Sequence, residues 1–435
     1  MDERWLVAWL LAALAFSGAS LIVPLYVVEL GADPFVLGVL FATASFVGVP
    51  GALVFGGLAD RTGKRRVFVL SAMAVTVLTM VAIPLLESVA LVIVANALLW
   101  LGFAASLPVL TLLTVAGEPE EQWTPLIARL NKFQGIGWAL GLALGLVVIT
   151  GGARFTTDIT AQRAFFFACA TSAGIGLLIG VRTLPPDPKP SEEPSPRRLQ
   201  RRVRGAARFN IRGAAFPFTP SRFDPRSLHP RRFVNRFTPK LATYFLAVLL
   251  VFTGFGVFFA PLPAYLGEVG YSSSQIFGLY LVLNAGAAVF YGYVTRLTRR
   301  YDIFPVHVGG LLARALALPA VAAVGGLAGG TLFGGVATAV VFVAIGLTWA
   351  VIAVTAAALV TTLASPVVRG EALGMYSALV ALGGGIGGLL GGWLAAFDYL
   401  VAFGVAGGVV LAGATVVLFA SSKETPLTSP EPEST

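Results

Sequence analysis

Apolar stretches long enough to cross a lipid bilayer recur along the whole chain. A membrane-spanning helix needs about 20 apolar residues, and stretches of this length form two sets of six. The first set covers residues 5–28, 35–57, 67–86, 89–115, 125–150 and 163–184. The second set covers residues 241–266, 275–297, 303–325, 331–363, 371–396 and 399–420. Because the lipid core leaves backbone groups no partner outside the segment, these stretches must be helical. The sequence therefore predicts an all-α membrane protein with 12 transmembrane helices.

The composition agrees with membrane insertion. Apolar residues make up 57% of the chain and charged residues 12%, against about 45–50% and about 25% in soluble domains. The single cysteine, Cys169, excludes a disulfide framework within the chain and a site built from several thiolates. The first apolar run is too long for a signal-peptide core, so we interpret it as a retained first helix.

A polar interval divides the chain into predicted domains. Residues 1–184 form an N-terminal six-helix bundle, 185–239 a basic, Pro-rich cytoplasmic linker, 240–422 a C-terminal six-helix bundle, and 423–435 a cytoplasmic tail. The linker has two interpretations. It is either a solvated tether or a segment whose Arg and Phe residues lie on anionic headgroups, where each basic residue contributes about 1 kcal/mol.

The placement of Lys and Arg predicts the orientation. Basic residues concentrate in alternate loops and in the tails on one side, and such residues stay in the cytoplasm. We therefore expect a multi-pass protein of the cell membrane with both termini in the cytoplasm. This topology also accounts for the net charge of +9, so the charge does not call for a nucleic-acid partner.

The two sets of spans resemble each other in sequence. The segment Pro24–Gly38 is similar to Pro261–Gly278 at an offset of about 240 residues. A constant offset of 243 relates Leu130, Phe133, Gly141 and Gly145 to Leu373, Tyr376, Gly384 and Gly388. The sequence thus predicts two pseudo-symmetric six-helix halves, an arrangement in which a site between the halves can open alternately to either side.

A short charged loop, GGLADRTGKRR at residues 56–66, joins the second and third spans. It resembles the signature G-x-L-x-D-[RK]-x-G-[RK]-[RK] of the major facilitator superfamily of secondary transporters. The defining positions are filled by Gly56, Leu58, Asp60, Arg61, Gly63, Lys64 and Arg65. The second half keeps the basic residues of this signature but has Tyr291 and Thr295 in place of Gly56 and Asp60.

The resemblance implies the superfamily fold and rocker-switch alternating access, with no enzymatic activity and no cofactor. It also implies that Asp60 caps helix ends and pairs with basic residues across the interface between the halves. The residues themselves show no phosphate-binding Gly-Lys-Ser loop after a strand, which argues against an ATP-driven pump. They also show no catalytic constellation and no cluster of metal ligands.

Polar and aromatic residues within the spans are the candidates for lining a central cavity. The candidates are Asn96, Trp100, Asn131, Gln134, Trp138, Tyr280, Asn284, Trp349 and Tyr376. For each of them alone, packing inside a half is an equal alternative. As a set they predict a large, mostly apolar cavity. The resemblance implies that the third, sixth, ninth and twelfth helices lie outside it.

Charges near the spans are candidates for coupling transport to an ion. Glu29, Asp33 and Glu268 lie at span ends, where capping of helix ends is the alternative role. Arg314 lies about 16 Å along the ninth span and either extends toward the cytoplasm or binds an anionic group. His307, near the cytoplasmic end of the same span, is expected to be solvated.

These features lead us to expect a monomeric transporter whose partners are a small molecule, the lipid bilayer and, in a coupled mechanism, protons. The first hypothesis is efflux of hydrophobic or amphipathic compounds. Import of a sugar or another small metabolite is the alternative. A hypothesis of another class is a lipid-handling or membrane-sensing protein on the same scaffold, because a fold alone does not fix a function.

The motif generates a direct prediction. Asp60→Asn removes a charge but keeps the side-chain size, so it should reduce transport while the purified protein remains folded. Flux in proteoliposomes and elution from a size-exclusion column would measure the two effects. Wild-type flux in the variant would contradict the role that the resemblance assigns to Asp60.

Overall fold

A computed structural model describes residues 4–115, 119–152, 154–187, 237–328, 331–364 and 369–422. In 49–61 and at several helix ends it describes the backbone only. The helices of the first half are α1 (Arg4–Glu29), α2 (Pro34–Thr62), α3 (Arg65–Ala82), α4 (Val89–Val115), α5 (Glu120–Gly152) and α6 (Asp158–Thr183). Those of the second half are α7 (Pro239–Phe259), α8 (Ser273–Arg300), α9 (Ile303–Ala328), α10 (Leu332–Leu363), α11 (Arg369–Ala395) and α12 (Tyr399–Ser422). One 3-10 turn, Ile83–Leu85, follows α3, and a seven-residue helix, Leu262–Glu268, continues α7.

The helices confirm the predicted membrane architecture. Over their described residues, eleven are long and apolar enough to cross a bilayer. The remaining long helix, α2, contains the shorter apolar run Pro34–Gly48. The protein is therefore an all-α, multi-pass membrane protein, and its described residues contain twelve long helices.

The packing repeats from one half to the other. In the first half α1 packs on α5 and α6, α2 on α4, and α3 on α4 and α6. In the second half α7 packs on α11 and α12, α8 on α10, and α9 on α10 and α12. Each pair recurs six helices later, which confirms the two pseudo-symmetric halves. The halves meet mainly through α2 with α11 and α5 with α8.

The turns after α1 and after Glu268 have the same structure. Gly31 and Gly270 adopt φ of 84° and 95°, a left-handed conformation that favours glycine. Two residues later a side chain caps the next helix. Asp33 Oδ1 accepts from Val36 N at 2.9 Å, and Ser272 Oγ accepts from Gln275 N at 3.4 Å. The sequence similarity in this region therefore reflects a repeated structural unit.

A repeated tyrosine fixes each of these turns to the rest of its half. The Tyr26 hydroxyl donates to the carbonyl of Leu86 at 3.0 Å, at the end of α3. The Tyr265 hydroxyl donates to the carbonyl of Ala322 at 2.8 Å, on α9. Both side chains are buried, so each hydroxyl satisfies a backbone oxygen in the interior and ties the outer helix end to its half.

Glycine allows the closest helix contacts. A Cβ added at Gly137 or Gly141 of α5 would overlap backbone oxygens of α1. On α11, Gly383, Gly387 and Gly391 approach α7 in the same way. Such contacts are typical of membrane helices, in which small residues let backbones approach closely. Both glycine runs therefore serve to pack helices against each other.

The predicted linker and tail lie mainly outside the described residues, so the domain boundaries stay predictions. The start of the linker is described as far as Asp187. Its Oδ1 accepts a hydrogen bond of 2.8 Å from Arg66 N at the beginning of α3. The proposed headgroup contacts of the linker fall on residues 188–236, outside the described part.

The glycine contacts generate a stability prediction. Gly387→Ala places a Cβ against the Thr253 carbonyl and the Gly256 backbone, and overpacking of this kind costs about 1–3 kcal/mol. Thermal unfolding in detergent should therefore shift to lower temperature. Gly404→Ala on α12 is the matched control, because nothing lies within 4 Å of its added Cβ. Equal melting temperatures for the two variants would contradict the assigned packing.

Candidate functional site

Among the residues whose side chains the structure describes, contacts between the halves are found toward the end of the bundle that holds the turns at Gly31 and Gly270. We refer to this end as the predicted outer end. A Cβ added at Gly145 of α5 would overlap the Phe277 ring of α8. On α6, Gln162 Nε2 donates to Ser273 Oγ at 3.4 Å, and the Phe165 ring packs edge-on against Phe277 at 5.3 Å.

The second contact between the halves joins α2 and α11 near the same end. The Gly38 backbone lies against Gly388 and Gly392, and the Phe46 ring lies against Gly385. Among the described side chains, the contacts between the halves thus extend from the predicted outer end toward the middle of the helices. Side chains that share a helix face with these contact residues, but are farther from the outer end, lie on the predicted cytoplasmic side of the contacts.

Two predicted cavity residues lie below the α5–α8 contact. Trp138 is seven residues from Gly145 on α5, and Asn284 is seven residues from Phe277 on α8. Seven residues are two helical turns, so each residue shares a face with its contact residue and lies about 10 Å deeper. Both side chains are half-buried. This placement puts Trp138 and Asn284 at equal depth on facing helices.

Aromatic rings form a cluster in the first half. Trp9 stacks on Phe103 with ring centroids 6.2 Å apart and an interplanar angle of 6°. Trp100 contacts the same ring edge-on at 5.8 Å, and Trp138 contacts it at 6.0 Å. Trp9 and Phe103 are buried, whereas Trp100 and Trp138 are half-buried. Trp100 and Trp138, the two tryptophans predicted to line the cavity, are thus the more exposed members of this aromatic cluster.

A corresponding cluster lies in the second half. Phe252 of α7 contacts Trp349 of α10 at 6.4 Å and Tyr376 of α11 at 6.3 Å, both edge-on. Phe255, one turn along α7, contacts Trp349 at 6.1 Å. Trp349 and Tyr376 are half-buried, and both phenylalanines are buried. Tyr376 lies eight residues from Gly384, on the face of α11 that approaches α2 near Ser45.

The amide candidates make hydrogen bonds inside their own halves. Gln134 is buried, and its Oε1 accepts from Trp9 Nε1 at 3.2 Å. Asn284 Nδ2 donates to the carbonyl of Tyr280, one turn earlier, at 2.8 Å. Tyr280 itself packs edge-on against Phe342 at 6.0 Å. Asn96 is buried and Asn131 half-buried. Some of the hydrogen-bond donors and acceptors of these candidates are therefore already paired within the protein.

Arg314 points into the second half instead of extending toward the membrane surface. Its side chain is 1% exposed, and an Nη1–H donates to the carbonyl of Ile345 at 2.9 Å. Its Cζ lies 4.8 Å from the centroid of the Phe255 ring and 6.0 Å from that of Trp349. Of the two alternatives for Arg314, extension to the cytoplasmic surface is therefore wrong.

His307 is also buried, which corrects the expectation that it is solvated. It is 3% exposed, with Nδ1 2.6 Å from the Thr355 hydroxyl and Nε2 3.3 Å from the Tyr244 hydroxyl. A cavity of about 10 Å³ beside it is lined by Tyr244, Phe252 and aliphatic side chains, and such a volume holds about one water molecule. The helix rotation turns His307 toward α7 and α10, which its sequence position alone did not indicate.

The acidic candidates lie at the predicted outer end. Glu29 is exposed and close enough to Asp158 of α6 for their charges to interact. Asp33 caps α2. Glu268 accepts a hydrogen bond of 2.6 Å from the Tyr399 hydroxyl of α12. Capping is thus observed for Asp33, while Glu268 is bound by a side chain of another helix.

The charged loop is described in part. The turn residue Gly63 has φ of 68°, and Lys64 precedes the first turn of α3. Arg65 is 3% exposed. The side chains of Gly56, Leu58, Asp60 and Arg61 lie outside the described part, so the pairing of Asp60 stays a prediction.

Several residues of the candidate site were missed by the sequence analysis. Trp9, Phe103, Phe252 and Phe255 connect the predicted aromatic residues to the interior. A Trp or Phe in a fully apolar span carries no signal of its orientation. Phe252 and Phe255 are three residues apart and therefore share a helix face. This spacing was the one sequence feature that could have indicated their common contact with Trp349.

Comparison with known families supports this architecture. The family model described as Major Facilitator Superfamily matches residues 5–364. No curated protein matches the chain.

Solved structures resemble the whole chain. The nucleoside transporter NupG has 12% sequence identity and a TM-score of 0.72, with 98% of this chain and all of that chain covered. A peptide transporter POT, a point mutant solved in complex with sulfate, has 18% identity and a TM-score of 0.69, with coverage of 96% and 93%. The xylose transporter XylE from E. coli has 14% identity and a TM-score of 0.65, with coverage of 96% and 97%. At these identities the likeness concerns the fold. Together with the family match, it shows that this chain belongs to the major facilitator superfamily of small-molecule transporters.

Proposed function

We propose that this protein moves hydrophobic or amphipathic small molecules out of the cell by rocker-switch alternating access. The observation that carries the proposal is the pair of aromatic clusters, one in each half. Their half-buried members are Trp100 and Trp138 in the first half and Trp349 and Tyr376 in the second. Large rings provide apolar contact area with few fixed hydrogen-bond requirements, which suits chemically varied apolar compounds.

The hydrogen bonds of the amides support the same substrate class. Gln134 Oε1 is bonded to Trp9, and Asn284 Nδ2 is bonded to its own helix. A site that recognises a hydroxyl-rich solute needs free, convergent donors and acceptors, because unpaired polar groups of a buried substrate are costly. Importing a sugar or another small metabolite is the second candidate. It is favoured by Asn131, which is half-buried one turn from Gln134.

The contacts between the described side chains of the two halves support a state that faces the cytoplasm. The halves approach each other at Gly38 with Gly388 and at Gly145 with Phe277, both near the predicted outer end. In alternating access, closure on one side accompanies opening on the other. The coupling candidates Glu29, Asp33 and Glu268 lie at the same end, where their protonation would act on the closure.

The first prediction concerns substrate choice. In proteoliposomes, hydrophobic and amphipathic aromatic compounds should be expelled, and an imposed proton gradient should drive this flux if transport is proton-coupled. Trp138→Ala and Tyr376→Ala should each lower the flux roughly tenfold, because each removes aromatic contact area from the cavity. Trp393→Ala is the matched control, since this α11 tryptophan is 51% exposed on the outside of the bundle.

Selective inward movement of one sugar or nucleoside, with no flux of aromatic compounds, would instead establish the importer. Glu29→Gln, Asp33→Asn and Glu268→Gln would then separate coupling from binding. Substitution of a coupling residue should change how the flux depends on the proton gradient. It should leave the exchange of substrate at equal pH on both sides unchanged.

The second prediction concerns alternating access. In a Cys169→Ser background, Gln162→Cys and Ser273→Cys place thiols on α6 and α8, where the native side chains are 3.4 Å apart. Cysteine is shorter than glutamine, so a short bis-methanethiosulfonate is used to bridge the two thiols. Cross-linking should hold the outer closure and stop flux, and reduction should restore it. Each single variant serves as a control. Undiminished flux with complete cross-linking would show that this contact does not open during transport.

A further inference from the structure

Arg314 is a deeply buried cation without a compensating charge in the described part of the chain. The guanidinium has five N–H donors. One donates to the carbonyl of Ile345, whereas the buried Nε–H has no hydrogen-bond partner. The Ile345 oxygen also accepts from the Thr348 hydroxyl at 3.0 Å. The side chain therefore has spare donor capacity in the interior of the second half.

The sequence around Arg314 offers no acid at its depth. Between residues 239 and 422 the acidic residues are Glu268, Asp302, Glu371 and Asp398. Each of them lies at a helix end or in a connection. The nearest along α9 is Asp302, twelve residues or about 18 Å away. Arg314 is thus not half of an ion pair within its own half, among the residues that the structure describes.

A purely structural role does not explain this arrangement. Removing a charge from water is costly, and replacing a buried charge by a well-packed apolar residue is often neutral or stabilising. Isolated charges inside membrane proteins mark functional sites for the same reason. The unmatched donors of Arg314 fit a ligand that brings its own negative charge.

The surroundings of Arg314 indicate what the rest of that ligand is like. The guanidinium lies over the Phe255 ring and near the Trp349 ring. Trp349 is half-buried and, through Phe252, is linked to the half-buried Tyr376 of α11. A chain of aromatic rings therefore connects Arg314 to the half-buried side chains of the second half.

We propose that Arg314, with Phe255 and Trp349, binds the anionic group of an aromatic or amphipathic organic anion. A carboxylate or sulfonate accepts hydrogen bonds from Nε–H and an adjacent Nη–H, the side-on geometry that guanidinium offers to such groups. The apolar part of the ligand packs against Trp349 and Tyr376. This inference rests on the proposed function and narrows its substrate class from apolar compounds in general to organic anions.

The experiment compares two ligands that differ in charge but little in shape. Radiolabelled 2-naphthoate and 2-naphthamide are titrated against the purified full-length protein in a scintillation-proximity assay. Wild type should bind the anion about tenfold more tightly than the amide, the size expected for hydrogen bonds to a charged group. Arg314→Met should abolish this preference while its affinity for the amide stays within about twofold.

Two further variants keep the test decisive. Arg182→Met removes one positive charge from an exposed position in the last turn of α6 and should leave both affinities unchanged. Arg314→Lys keeps the charge but not the two-pronged donor geometry, so it should keep a preference for the anion with about tenfold weaker binding. This variant serves if Arg314→Met does not fold. Melting temperatures at or above the wild-type value for Arg314→Met would agree with a ligand-binding role.

The outcomes that overturn the inference differ from those that overturn the proposed function. Equal affinity of wild type for naphthoate and naphthamide, or an undiminished preference in Arg314→Met, contradicts anion recognition and leaves transport of apolar compounds intact. Unchanged affinity in Arg314→Lys contradicts the side-on geometry. Binding of xylose or uridine with no binding of either naphthalene compound contradicts the proposed function itself.

Discussion

Close backbone contact at glycine is the interaction on which the two halves depend. On α11 one set of glycines approaches α7 in the same half, and Gly388 and Gly392 on the neighbouring face approach α2 of the other half. On α5, Gly137 and Gly141 approach α1, and Gly145 approaches Phe277 of α8. In lipid there is no hydrophobic drive for association, so such packing provides much of the attraction. One helix in each half thus packs within its own bundle and also contacts the other half.

The duplication extends to single hydrogen bonds. Tyr26 and Tyr265, Gly31 and Gly270, and the caps Asp33 and Ser272 correspond at one constant offset, and so do Glu29 and Glu268. The electrostatics of the two ends differ nevertheless. Glu29 has the like charge of Asp158 nearby, whereas Glu268 accepts a hydrogen bond from Tyr399. Two equivalent backbones therefore carry different local charge patterns.

The elements could be predicted from the sequence because each span is set by length and apolar character alone. The halves followed from repeated segments such as Pro24–Gly38. Helix rotation could not be predicted in the same way. In spans such as α10, nearly every residue is apolar, so no polar face marks the side that turns toward lipid. His307 was therefore expected in solvent although it is buried, and the partners of Gln134 and Arg314 became visible only from tertiary packing.

The charge difference between the aromatic clusters bears on how substrate and closure are linked. The cluster of the first half contains Trp and Phe rings and the neutral Gln134, whereas the cluster of the second half covers Arg314. Burying a group removes it from water, and the cost is largest for a charge. If an organic anion neutralises Arg314 as proposed, the state in which this side chain is buried is less costly with the ligand bound than without it. A ligand shifts a conformational equilibrium only by its difference in affinity between the two states, and an unmatched cation in one half provides such a difference.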